Sequence, residues 1–135
     1  MLKTFALTVA AVLLSLASYL RVGSDIPLEG KKTLYLYNAS SNCLILTGQT
    51  LRPYFKSALK GESVVLSDPS SVGGFLEAVL AELVFEERVG STVCEYYYSP
   101  QISVYKSING QKVNIHIAKN PEKTVVGIPL IFGSY

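Results

Sequence analysis

The spacing of apolar positions changes several times along the chain, and each change predicts a different element. From Phe5 to Leu20 there is no charge and no polar face, with Lys3 before the run and Arg21 after it. A charge-free run behind one basic residue at the start of a chain reads as the hydrophobic region of an export signal, since a core helix would keep one polar face. Ser15-Leu16-Ala17 offers small residues where a signal peptidase reads, so cleavage before Ser18 is an expected outcome. Left uncut, a helix over this run would reach roughly 25 Å at about 1.5 Å per residue, which is short for a bilayer. Residues 1–21 are therefore expected to be a signal peptide or an N-terminal membrane anchor. Gly23, Ser24, Asp25 and Pro27 follow, and residues 22–31 read as a linker to a single domain at 32–135.

Within the domain, Thr33-Leu34-Tyr35-Leu36-Tyr37 predicts a strand, Asn38 to Asn42 a turn, and Cys43-Leu44-Ile45-Leu46 the returning strand. Leu51, Tyr54, Phe55, Ala58 and Leu59 fall at helical spacing, with Thr50 as an N-cap, Pro53 in the first turn and Gly61 past the end. Ser63 to Leu66 reads as a buried strand. Asp68-Pro69 opens a second helix, with Phe75, Leu76, Val79, Leu80 and Leu83 on one stripe, Glu77, Glu82 and Glu86 turned away, and Gly90 at its end. From Thr92 the period is two. Strands are predicted at 93–98, 102–108, 112–118 and 124–132, with Asn109-Gly110 as a hairpin turn and Asn120-Pro121-Glu122 as another. Val113, Ile115 and Ile117 should share one face, and Asn114, His116 and Ala118 the other. Pro129 marks its strand as an edge or a bulge, because proline donates nothing to a ladder. The expected fold is α+β: a mostly antiparallel sheet with two helices packed on one face, ending in a four-stranded meander.

Composition narrows function more than fold. The chain is 49% hydrophobic and 16% charged, with Lys+Arg 12 against Asp+Glu 10 and a formal net charge of +2. Without Lys3 the balance becomes 11 against 10, or +1. Such a balance supplies no basic face for nucleic acid. No phosphate loop, paired-carboxylate or G-x-S-x-G pattern occurs, so neither a catalytic site nor a cofactor is expected.

Some residues remain chemically interesting. His116 is the sole histidine. It lacks an evident nucleophile, and with two cysteines it falls short of a structural zinc set, so no metal is expected. Cys43 and Cys94 are candidates for a disulfide in an exported chain; closing a loop of about fifty residues is worth roughly 4 kcal/mol in the chain-entropy picture. The alternative is two buried thiols acting as small apolar groups. Tyr96, Tyr98, Tyr105 and His116 form a candidate aromatic binding surface, with strand alternation placing Tyr97 opposite Tyr96 and Tyr98. Asn38-Ala39-Ser40 meets the N-glycosylation pattern.

Tyr98-Ser99-Pro100, the run from Asn109 to Ala118, and Val126-Gly127-Ile128-Pro129-Leu130-Ile131 together resemble the end of the YwmB-like family. The resemblance implies an exported protein of Gram-positive spore formers with a TATA-box-binding-protein-like fold; it transfers no site residue and implies no DNA binding. The expectation is an exported or anchored envelope protein, on the outer side of the cytoplasmic membrane, acting as a non-enzymatic binding or structural module linked to sporulation. Its partner would be a protein or another envelope component, with the membrane met through the N-terminal segment if that stays uncut. The competing expectations are a small secreted hydrolase using His116 and a secreted inhibitor presenting the strand with Pro129 as a β-edge.

Overall fold

The computed structural model describes residues 1–37, 44–47 and 54–133. Their order is α1 (Leu2–Tyr19), β1 (Leu20–Arg21), β2 (Gly30–Leu36), β3 (Leu44–Thr47), β4 (Tyr54–Phe55), a 3-10 turn (Lys56–Ala58), β5 (Leu59–Leu66), α2 (Ser71–Ala78), β6 (Glu82–Val89), β7 (Thr92–Tyr98), β8 (Lys106–Ile108), β9 (Gln111–Val113), β10 (Ile115–Lys119) and β11 (Thr124–Ile128). Seven strands form one antiparallel sheet in the order β3-β2-β5-β11-β10-β7-β6. The class is α+β, as the sequence predicts. The chain does end in a four-stranded meander, β6-β7-β10-β11, whose last strand closes against β5.

The membership of that meander differs from expectation. The second helix stops after one apolar stripe instead of running to Gly90. Leu80 adopts φ 55, its N–H bonds the carbonyl of Glu77, and the Ala81 N–H reaches back to Leu76. That pair of bonds closes a Schellman end, which glycine usually provides and leucine here does not advertise. Glu82–Val89 is then free to pair with β7, Phe85 opposite Tyr96 and Glu87 opposite Cys94. The helix expected at 51–59 is also replaced: residues 50–53 lie outside the described residues, Tyr54–Phe55 is a strand and Leu59 begins β5.

Asn114 explains the third departure. Its buried side chain accepts the Ser99 N–H at 2.7 Å and donates to the Ser99 and Ile102 carbonyls at 2.8 and 3.0 Å. These bonds hold residues 99–102 in a bend, so the strand expected over 102–108 survives only as β8. The Asn109-Gly110 turn forms as read, with φ 51 and 78, joining β8 to β9 in a separate two-stranded ribbon. Val113 then packs with Cys94 and Ala118, whereas Ile115 and Ile117 face the other way.

One face of the sheet buries Val64, Leu66, Ile115, Ile117 and Val126 against Val72 and Phe75 of α2 and against Ile26 and Leu28. Ile26 and Leu28, within the expected linker at 22–31, are thus part of the core. Among the described residues, α2 is the one helix packed on this face. Toward β2 and β3 the same face continues through Leu34, Leu36, Leu46 and Tyr54. The opposite face carries Cys94, Tyr96, Ala118 and Val125 and is covered by the C-terminal strap at 129–133. A Cβ on Gly127 would lie 2.6 Å from the Ile131 nitrogen, so the strap's approach requires glycine there. Pro129 lies beyond the end of β11, and β11 runs between β10 and β5; neither the expected edge nor a β-edge for an inhibitor exists at that place.

Candidate functional site

The predicted aromatic surface does not assemble. Tyr96 and His116 are both buried, stacked at 4.4 Å and 18°, with Phe85 on the other side of Tyr96 at 4.3 Å. Alternation along β7 is as expected: Tyr96 faces Phe85 and His116, while Tyr97 lies opposite Leu83 and Ile115. The aromatics of that face serve packing under the strap. Tyr98 is half-buried beside a shallow depression with Leu80, Glu82 and Pro100. Tyr105 is exposed on the approach to β8, with the Lys112 ammonium 4.7 Å from its ring centre.

His116 is built as a latch. Its Nδ1 accepts the Ile131 N–H at 3.2 Å, fixing the strap to β10. The neutral ring therefore carries its proton on Nε2. Burial pushes the imidazole down to about 4, with the Glu87 carboxylate opposing the fall. Glu87 in turn accepts the Tyr96 hydroxyl at 2.6 Å. Cys94 is fully buried on β7; its candidate partner Cys43 lies outside the described residues, as does the glycosylation pattern at Asn38.

A different site emerges on the α2 face. A cleft of about 390 Å³ opens where β5 begins and β11 ends. Its apolar walls include Ile26, Phe75, Ile102 and Ile128, and Arg21, Asp25 and Glu62 form its polar end. Arg21 Nη2 lies 2.7 Å from Asp25 Oδ2 and 3.8 Å from Glu62 Oε1. Glu62, itself buried, accepts the Ser24 hydroxyl at 2.7 Å, and Ser24 Oγ accepts the Ile26 N–H. The Tyr54 ring lies 5.8 Å from the guanidinium carbon, and its hydroxyl donates to the Gly23 carbonyl at 2.7 Å. Burial raises the Tyr54 phenol; Arg21 works against that rise, and Glu62 and Asp25 add to it. Lys32 donates to the Ile26 carbonyl at 2.8 Å and pins the middle of the segment.

These bonds make the segment after α1 one wall of the cleft. The chemistry offered is recognition: an apolar slot of ligand size closed at one end by an ion-paired arginine. Among the described residues no group of three His, Cys, Asp or Glu side chains is placed to hold a metal. Sequence reading misses this cluster, although a signal exists. Glu62 has the same strand parity as Val64 and Leu66, which puts a carboxylate on a core-facing row, and a buried carboxylate demands a partner. In the sequence Arg21 reads only as the border of the leader.

No family model, curated protein or solved structure matches the chain. The likeness to the YwmB-like family rests on the residues quoted for it.

Proposed function

We propose that this protein is a binding module of the bacterial envelope, delivered through α1 and working outside the cytoplasmic membrane, with the Arg21–Glu62 cleft as its ligand site. The observation that carries this reading is the independence of the domain from α1. Among the described residues, the three buried clusters draw on none from α1. Phe5 and Leu7 on that helix are 70% and 71% exposed. A helix this apolar, whose described side chains stay out of the core, fits an address or an anchor. Among the described residues no helix is long and apolar enough to cross a membrane, which accords with a leader removed before Ser18 or with a shallow anchor. A link to sporulation follows from the C-terminal resemblance alone.

Intact-mass measurement on fractionated cells tests the location. A chain beginning at Ser18 outside the cytoplasmic membrane, or a full-length chain in the membrane fraction, agrees with it; a full-length chain in the cytosol overturns it. The binding role is tested by methyl NMR with solubilised cell-wall fragments. Shifts gathered on Ile26, Ile102 and Ile128 are expected, and unchanged methyl signals at those three positions would sink the cleft as the site.

A further inference from the structure

The two-residue ribbon between α1 and the domain has an inside and an outside. Leu20 pairs with Phe55, and Arg21 with Tyr54. Arg21 and Tyr54 turn inward to the polar cluster, with Tyr54 buried. Leu20, Val22 and Phe55 are left exposed, at 39%, 63% and 56%. Lys56, next to Phe55, is exposed as well. Leu20 immediately follows the last residue of α1, and cross-strand pairing holds Phe55 within about 5 Å of it. The chain therefore passes without a break from the apolar helix onto an apolar face of the domain.

Length gives that continuity a use. The helix has 18 residues, or about 27 Å at 1.5 Å per residue, against a hydrocarbon thickness of about 30 Å. A helix that falls short of crossing holds as a shallow anchor, which keeps whatever follows it at the boundary between acyl chains and headgroups. A charged exit there would oppose insertion. Arg21, the charge at that exit, is instead drawn off the surface by Asp25 and Glu62, and its place is taken by three apolar side chains and a lysine suited to anionic headgroups.

We propose that Leu20, Val22, Phe55 and Lys56 form a seating collar, which holds the domain down on the lipid surface at the foot of α1 instead of leaving it on a free tether. The proposal rests on the reading of α1 as a membrane anchor. The collar sets the domain's orientation, and with it the direction in which the cleft is offered.

The chain contains no tryptophan, so one introduced indole reports depth without background. Full-length Phe55→Trp and, as a control on β6 at the far edge of the sheet, Val89→Trp are reconstituted into phosphatidylcholine–phosphatidylglycerol vesicles carrying acyl-brominated lipid. Val89 is 59% exposed, matching Phe55 closely. The indole emission of the Phe55→Trp chain is expected to shift blue and to be quenched about threefold more strongly than that of the Val89→Trp chain, as for a side chain held at the acyl boundary. Protein that sediments with vesicles while both indoles are quenched equally overturns the collar and leaves the anchor standing. Protein that stays in the supernatant overturns both together. Val22→Ser in the Phe55→Trp chain is expected to weaken the quenching while sedimentation is retained; undiminished quenching counts against Val22 as part of the collar.

Discussion

His116 shows how much a single buried acceptor can set. Its Nδ1 must stay unprotonated to hold the Ile131 amide, and burial keeps it so down to about pH 4. In the unfolded chain the imidazole titrates near its ordinary 6.5. The folded value is the lower one, so the unfolded chain binds the proton more readily through this window. Stability is then full above about pH 6.5 and falls as the pH drops toward 4. Urea unfolding at pH 7 and pH 4.5 should differ through this group by on the order of 2 kcal/mol. His116→Gln should flatten that part of the profile, and an unchanged slope would remove the latch. Asn114 carries more bonds. Replacing it by Ala leaves the Ser99 N–H and two carbonyls without their partner, and a loss of about 2–4 kcal/mol is expected in the same assay.

At the scale of elements, the strap and the meander depend on glycine at one place and on its absence at another. Gly127 lets Leu130 and Ile131 lie directly on β11, and Phe132 then meets the edge of Tyr35 at 6.1 Å. Gly127→Ala places a methyl against backbone, which cannot rotate away. The strap should lift, at a cost of about 1–3 kcal/mol, with earlier hydrogen exchange at the Ile131 amide than in Val64→Ala, which thins the opposite face of the sheet, away from the strap. The end of α2 works in the opposite way. A left-handed Leu80 stops the helix without the glycine that sequence reading looks for, so the period-3.6 stripe in the sequence runs on to Leu83, past the helix's end at Ala78. β6 is hidden for the same reason: Glu82, Leu83 and Glu86 satisfy helical spacing as well as they satisfy an edge strand, and only pairing with β7 decides between them. Asn109-Gly110 and the strand at 92–98 are legible because their signals are local. The cleft is not, because its members include residues 21, 25, 26, 62, 75, 102 and 128, and only the sheet order brings β5 beside β11.

The whole molecule divides between a helix whose described side chains the core does not use and a short ribbon that it does use. Among the described residues all three buried clusters close without α1, yet Arg21, two residues past the helix, is the cation for the buried Glu62. Two truncations that differ by only four residues should therefore behave differently. A chain starting at Ser18 keeps the Leu20–Phe55 pair and the Arg21 contacts with Asp25 and Glu62, and its thermal midpoint should match that of the full-length chain in detergent. A chain starting at Val22 leaves Glu62 buried with the Ser24 hydroxyl but without its cation, and it removes the partner strand of β4. Breaking a buried pair from one side costs about 3–5 kcal/mol when both charges are enclosed; Arg21 stands 3.8 Å from Glu62 and keeps 15% of its side chain in solvent, so about 2 kcal/mol is the reasonable figure. Equal midpoints for the two truncations at pH 7 would show that Arg21 belongs to the leader alone. The division would then fall after Arg21, and the first wall of the cleft would begin at Val22.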